Sequence, residues 1–100
     1  MQFLTLEKIK QQIRMEPEFT LEDELLEDYG ESAEETVLAY CNRTLEDVIE
    51  QYGKVPANMR HAALELVSGS YMNREPYSPT NLSTIPYGNI DVLLKPYIKL

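Results

Sequence analysis

Apolar positions are densest in the stretch from Met59 to Glu75, MRHAALELVSGSYMNRE. At about 100° per residue in an α-helix, its apolar side chains fill one continuous arc that covers more than half of the girth. An ordinary surface helix shows a narrower apolar stripe. We therefore expect a helix over residues 57–75 that has neighbours on several sides and forms the centre of a small bundle. Leu66 and Val67 are expected to be among its most buried residues.

Two short amphipathic patterns each follow a threonine. Thr5 stands before an apolar face with helical spacing, so we expect it to cap a helix over about 6–14. Thr44 begins a capping signal of the Ser/Thr-x-x-acid type, and apolar residues then recur at i, i+3, i+4 and i+7. We expect this second helix to cover 45–52 and to end at Gly53, because glycine is a common C-terminal cap.

A longer amphipathic pattern follows another capping signal at Thr20 and runs to about Asn42. Gly30 lies inside it and lowers helix stability by about 1 kcal/mol relative to alanine, so the pattern allows a kink or a break, although we expect one helix. One side is acidic: Asp23, Glu24, Glu27, Asp28, Glu31, Glu34 and Glu35. Acids at helical spacing are usually a solvated face. The more specific interpretation is a channel lining that repels phosphate, or a docking surface for a basic partner.

The last quarter of the chain combines a proline-rich stretch with apolar residues. Pro76–Pro86 contains three prolines, two serines and two threonines, which indicates a flexible loop long enough to suggest a function. A short helix over Ile90–Leu94 and an apolar tail over 96–100 follow. We expect the loop and the last helix to become ordered against a neighbouring subunit. The candidate interface residues are Tyr71, Asn73, Arg74, Glu75, Tyr77, Tyr87, Leu94 and Tyr97.

The length of 100 residues predicts a single domain over residues 1–100. Helical patterns without convincing strand alternation predict the all-α class, a small bundle of four to five helices. With 17 acidic and 9 basic residues the net charge is −8. Tight nucleic-acid binding is not expected, because phosphate contacts require clustered lysine and arginine. No apolar run is long enough to span a membrane. The first residues also lack the apolar core of a signal peptide, which predicts a cytoplasmic product.

Few side chains suit catalysis or metal binding. His61 is the single histidine and lies on the polar side of the central helix, which favours a surface or interface role. Cys41 is the single cysteine and borders an apolar stripe, as is typical of a packed, unreactive thiol. The acids lack the spacing of an EF-hand, and there is no glycine-rich phosphate loop. We therefore expect no enzyme activity, no metal site and no cofactor.

Several short pieces occur in an order that is similar to a known family. They are Phe3-Leu4-Thr5-Leu6-Glu7-x-Ile9-Lys10, Asp23-x-Leu25-Leu26, Pro56-Ala57-x-Met59-Arg60-x-Ala62, Tyr71-x-Asn73-Arg74-Glu75, Ile85-Pro86-Tyr87-Gly88 and Leu93-Leu94-x-Pro96-Tyr97. In this order, over nearly the whole chain, the sequence resembles the head–tail connector proteins of tailed bacteriophages and prophages, also called head-completion or adaptor proteins. Ser70 departs from the family pattern, since relatives often carry a large aromatic residue there.

The resemblance implies a small helical structural protein without catalysis. Family members assemble, commonly as a twelve-fold ring, beneath the portal of a filled capsid, where the ring extends the DNA channel. The implied partners are other copies of the chain, the portal protein and a tail-side connector protein. The implied location is the host-cell cytoplasm during assembly and the virion afterwards. The residues also leave open a second class, an acidic helical adaptor that binds a basic bacterial protein.

Overall fold

Five helices follow one another in the computed structural model, which describes residues 1–72 and 87–99, without the side chains of residues 87–89. The helices are α1 (Leu6–Gln12), α2 (Asp23–Tyr40), α3 (Leu45–Tyr52), α4 (Ala57–Met72) and α5 (Tyr87–Leu94), and a 3-10 turn covers Lys95–Tyr97. The described residues contain no strand, and the predicted all-α class is confirmed. Within the same residues no helix is long and apolar enough to cross a membrane.

Helix α4 is the centre of the bundle, as its wide apolar arc predicts. It packs against α1, α2 and α5, and Met59, Ala62 and Val67 are completely buried. The prediction for Leu66 is wrong, because its side chain is only partly buried. Leu66 lies where α2 and α5 leave a small apolar cavity of about 160 Å³ between them and α4. The predicted last turn of this helix, residues 73–75, lies outside the described residues.

Side-chain caps form at two of the three predicted positions. The hydroxyl oxygen of Thr5 accepts the backbone N–H of Lys8 at 3.2 Å. Thr44 and Asp47 form a reciprocal capping box at the start of α3, and Gly53 ends that helix with a φ of 77°. Each threonine therefore pairs a backbone N–H that the helix itself leaves without a partner.

The predicted cap at Thr20 is wrong, and two helix ends also differ from expectation. Helix α2 begins at Asp23, and Thr20 contributes only its carbonyl oxygen, which accepts the N–H of Asp23 at 3.2 Å in a turn. Helix α1 ends at Gln12 because Arg14 adopts a left-handed φ of 60°. The N–H of Met15 then donates to the Lys10 carbonyl at 2.8 Å, a bond typical of helix C-termini.

Gly30 allows close packing against α2 and does not kink the helix. Helix α2 continues through it without a break, and the backbone of Gly30 is buried. A Cβ atom at this position would collide with the side chain of Met1 and would lie 3.0 Å from Cδ1 of Ile9. The glycine therefore lets the N-terminal segment and α1 pack directly on α2.

The last helix is longer and better buried than expected. It begins at Tyr87 and not at Ile90. It packs against α4, and its residues Ile90 and Leu94 are buried in the core of the chain itself. These two side chains therefore do not need a neighbouring subunit to cover them. The predicted flexible loop, Pro76–Pro86, lies outside the described residues.

Candidate functional site

The acidic side of α2 divides into an outward part and an inward edge. Five of the seven predicted acids are exposed, and we refer to them as the acidic stripe: Glu24, Glu27, Asp28, Glu31 and Glu35. At 100° per residue they lie within an arc of about 100° along the helix. No group of three or more potential metal ligands occurs in the part of the chain that the structure describes.

Glu34 belongs to the inward edge, and its assignment to a solvated acidic face is wrong. The residue is only 4% exposed. Its carboxylate accepts backbone N–H groups from Gln2 at 2.9 Å, from Phe3 at 2.7 Å and from Leu4 at 2.7 Å. Such charge-assisted bonds are short and strong. Glu34 therefore holds the N-terminal segment against α2 and is not available to a partner or to DNA.

Asp23 also turns away from the acidic stripe, towards a buried lysine. The Lys10 ammonium lies 2.8 Å from Oδ1 of Asp23. It also donates to the carbonyl oxygens of Pro17 at 3.1 Å and Phe19 at 2.8 Å. Lys10 is 5% exposed, and a lysine is almost never that deeply buried unless it is paired. It therefore fixes the loop between α1 and α2, a role for which the sequence around it carries no local signal.

The predicted interface residues do not form one surface among the described residues. Tyr71 is partly buried against the core. The assignment of Leu94 to a subunit interface is contradicted by its complete burial within this chain. Asn73, Arg74, Glu75 and Tyr77 lie outside the described residues, as does the side chain of Tyr87. Their assignment remains a prediction.

Tyr97, the last of the predicted interface residues, packs within the same chain. Its ring meets that of Tyr52 edge to face with a centroid distance of 5.4 Å. Arg43 donates through Nε to the carbonyl oxygen of Tyr97 at 2.7 Å, and its guanidinium lies 5.4 Å from the centre of the Tyr52 ring. The apolar tail is thus anchored beside α3.

A second set of bonds joins the C-terminal segment to the end of α2. The N–H of Lys99 donates to the carbonyl oxygen of Cys41 at 2.8 Å. The side-chain amide of Asn42, which has a left-handed φ of 55°, donates to the carbonyl oxygen of Lys99 at 3.3 Å. The Cys41 thiol is buried as predicted. Its burial raises its pKa, which lowers the reactive thiolate fraction at neutral pH.

A groove of about 630 Å³ runs between the N-terminal segment and the first turns of α4. Its apolar lining residues are Phe3, Leu4, Ala57 and Leu64. We refer to it as the basic groove, because the basic residues in its lining, Lys8, Arg60 and His61, outnumber the single acid, Glu7. His61 is on the surface as predicted, with its side chain 54% exposed and its Nε2 atom 3.1 Å from Glu65 Oε1. Sequence reasoning did not find this groove, because its two walls are separated by about 50 residues and meet only in the fold.

These features can be compared with known proteins. A family model described as phage gp6-like head-tail connector protein matches residues 3–97. The chain belongs to this head-tail connector family. The match covers almost all of the chain, and it confirms the resemblance carried by the short sequence pieces. No curated protein and no solved structure matches the chain.

Membership of the head-tail connector family gives the protein a structural role in a phage particle. It also implies contact with other phage head or tail proteins. Such contacts require exposed surfaces whose side chains are not buried within the chain itself. In this connector the described residues offer the exposed acidic stripe on α2 and the basic groove beside α4.

Proposed function

We propose that this head-tail connector protein assembles with copies of itself into a ring beneath the portal of a filled capsid. The ring extends the DNA channel and binds the next tail-side protein, and it catalyses no reaction. The observation that carries the proposal, beyond family membership, is the acidic stripe. Its five carboxylates are exposed on one side of α2, and Glu31 among them lies 3.7 Å from the N-terminal ammonium.

An acidic stripe suits the wall of a DNA channel. From Glu24 to Glu35 it extends about 16 Å along the helix axis, at 1.5 Å per residue. Repulsion between carboxylates and phosphates acts over about 8 Å at physiological ionic strength. A ring that turns α2 inwards would therefore keep DNA from adhering while it passes.

The net charge of −8 has a second consequence for a ring. Copies of an acidic chain repel one another, so the subunit contacts must offset this repulsion by apolar burial or by local pairing of opposite charges. An interface that joins an acidic surface of one copy to a basic surface of the next meets this requirement.

The test combines assembly with the chemistry of the stripe. We expect native mass spectrometry and electron microscopy to show rings of the full chain, alone or on portal-bearing capsids. A variant with Glu27→Gln, Asp28→Asn and Glu31→Gln should still form rings, but particles carrying it should release DNA more slowly. The control replaces two exposed acids on α3, Glu46 and Glu50, by glutamine. A wild-type chain that stays monomeric both alone and with portal-bearing capsids would contradict the proposal.

The acidic stripe would also suit the alternative function, an adaptor for a basic bacterial protein. That function predicts a complex of one chain with one basic partner, and loss of the complex in the stripe variant. It predicts no ring under any condition. Ring formation therefore separates the two functions.

A further inference from the structure

The loop between α1 and α2 displays two large apolar side chains to solvent. Phe19 is 40% exposed and Leu21 is 87% exposed, and we refer to the pair as the apolar knob. Single exposed apolar residues are common on protein surfaces. Two within three positions, on a loop that the protein fixes in place, form a local patch of the kind that marks interaction sites.

The knob is held by the buried lysine of α1. Lys10 donates to the carbonyl oxygens of Pro17 and Phe19 and pairs with Asp23, so it ties both sides of the loop to the bundle. A loop anchored in this way loses little conformational entropy when it binds a partner, which favours affinity. The exposure of Phe19 and Leu21 is therefore built into the fold.

The surroundings of the knob and of the basic groove have opposite charges. Exposed acids flank the knob at Glu16 and Glu18. The groove presents Lys8 and Arg60 beside apolar residues and one acid, Glu7, in a chain that has only 9 lysines and arginines. Its volume of about 630 Å³ lies in the range of sites that hold compact ligands, about 300–1,000 Å³.

We propose that the apolar knob of one copy inserts into the basic groove of the next copy, with the flanking acids of the first facing Lys8 and Arg60 of the second. The proposal rests on the ring proposed above and assigns its subunit interface. A second copy is the occupant because one molecule carries both complementary surfaces, and their pairing offsets the repulsion between two chains of charge −8.

The positions of the two surfaces make this contact head to tail. The groove lies beside the first residues of α1, whereas the knob follows the end of that helix, which is seven residues or about 10 Å long. The loop that carries the knob is anchored by Lys10, and none of its residues lines the groove of its own chain. A contact between two different surfaces repeats from copy to copy and closes into a ring when the rotation allows it.

The first test measures self-association of the full chain by sedimentation velocity. Leu21→Glu should weaken it at least about tenfold, since a buried leucine contributes roughly that much or more. The pair Lys8→Glu and Arg60→Glu should have a comparable effect. The matched controls Val92→Glu, an apolar residue 75% exposed on α5, and Lys54→Glu, an exposed base outside the groove, should change it less than about twofold.

Mixing the variants tests the head-to-tail geometry. The Leu21→Glu chain keeps its groove, and the Lys8→Glu/Arg60→Glu chain keeps its knob. An equimolar mixture should therefore form a heterodimer, although each variant alone is monomeric. The heterodimer should add no further copies, because its one intact knob and its one intact groove already bind each other. Circular dichroism should show unchanged helix content in both variants, because all three substituted side chains are exposed.

The outcomes separate this interface from the ring itself. Wild-type-like oligomers in both variants would overturn the knob-and-groove contact and leave the proposed ring standing on another surface. Monomeric variants that form no heterodimer when mixed would overturn the head-to-tail arrangement. A wild-type chain that is monomeric alone and on portal-bearing capsids would overturn the interface and the proposed function together.

Discussion

The N-terminal segment before α1 is fixed to α2 by a buried carboxylate, whereas the C-terminal segment after α5 is fixed by partly exposed groups. Glu34 is 4% exposed and binds three successive backbone N–H groups. At the other end, Arg43 is partly buried, binds one carbonyl oxygen and lies over the Tyr52 ring. The N-terminal segment has no helical structure, and the C-terminal segment has only the 3-10 turn Lys95–Tyr97.

The difference between these anchors lies in what replaces them when they are removed. Water can reach the backbone groups that Arg43 serves, so a lost bond there is partly recovered. The N–H of Leu4 is buried where it meets Glu34, and those of Gln2 and Phe3 are partly buried. A buried donor without a partner is costly. We therefore expect the free energy of unfolding to depend more strongly on the Glu34 carboxylate than on the Arg43 guanidinium.

The largest expected effect is that of removing the buried carboxylate. Glu34→Ala leaves the N–H groups of residues 2–4 without their acceptor, and we expect the free energy of unfolding to fall by about 3 kcal/mol or more. Urea titration measures the loss, and Glu35→Ala, at the neighbouring exposed acid, should change stability by no more than about 0.5 kcal/mol. A loss below about 1 kcal/mol at Glu34 would mean that the segment does not depend on it.

A smaller effect is expected at the C-terminal anchor. Arg43→Ala removes the bond to the Tyr97 carbonyl and the contact with the Tyr52 ring, and should lower the free energy of unfolding by about 1–2 kcal/mol. Arg43→Lys should recover part of this loss, because it keeps the charge but not the planar stacking surface. If Arg43→Ala costs as much as Glu34→Ala in the same urea titration, the proposed difference between the two anchors is wrong.

The smallest expected effect is a pH dependence at the start of α3. The backbone N–H of Thr44 donates to Asp47, and together with the nearby Lys99 ammonium it lowers the pKa of that carboxyl. A lowered pKa in the folded state adds stability above the ordinary value of about 3.9, and this stability disappears as the pH falls through the folded-state pKa. The difference in Tm between wild type and Asp47→Asn should therefore shrink between pH 7 and pH 3.

Lys99→Met provides the companion measurement for this pH dependence, because Lys99 contributes to the lowered pKa and also belongs to the C-terminal segment. In that background the pH-dependent part of the Asp47→Asn difference should be smaller. A Tm difference that stays constant from pH 7 to pH 3 would show that the capping box does not discriminate between the charged and neutral carboxyl.

The sequence by itself determined the features that depend on neighbouring residues. Thr5 and Thr44 cap their helices as predicted, and Gly53 ends α3, because each acts on backbone groups within a single turn. The wide apolar arc likewise identified α4 as the central helix, because a helix that is apolar over more than half of its girth needs neighbours on several sides. The ordered short pieces also identified the connector family, which the match over residues 3–97 confirms.

Only the tertiary structure decided which charged side chains are buried and which surfaces stay exposed for binding. Glu34 has the same helical spacing as the exposed acids, and its partners lie 30 to 32 residues away. Lys10 is buried because a loop brings carbonyl oxygens to it, and Leu94 is buried because α5 packs back on α4. A long-range contact leaves no period in the sequence, so the inward edge of the acidic side, the basic groove and the apolar knob became visible only in the fold.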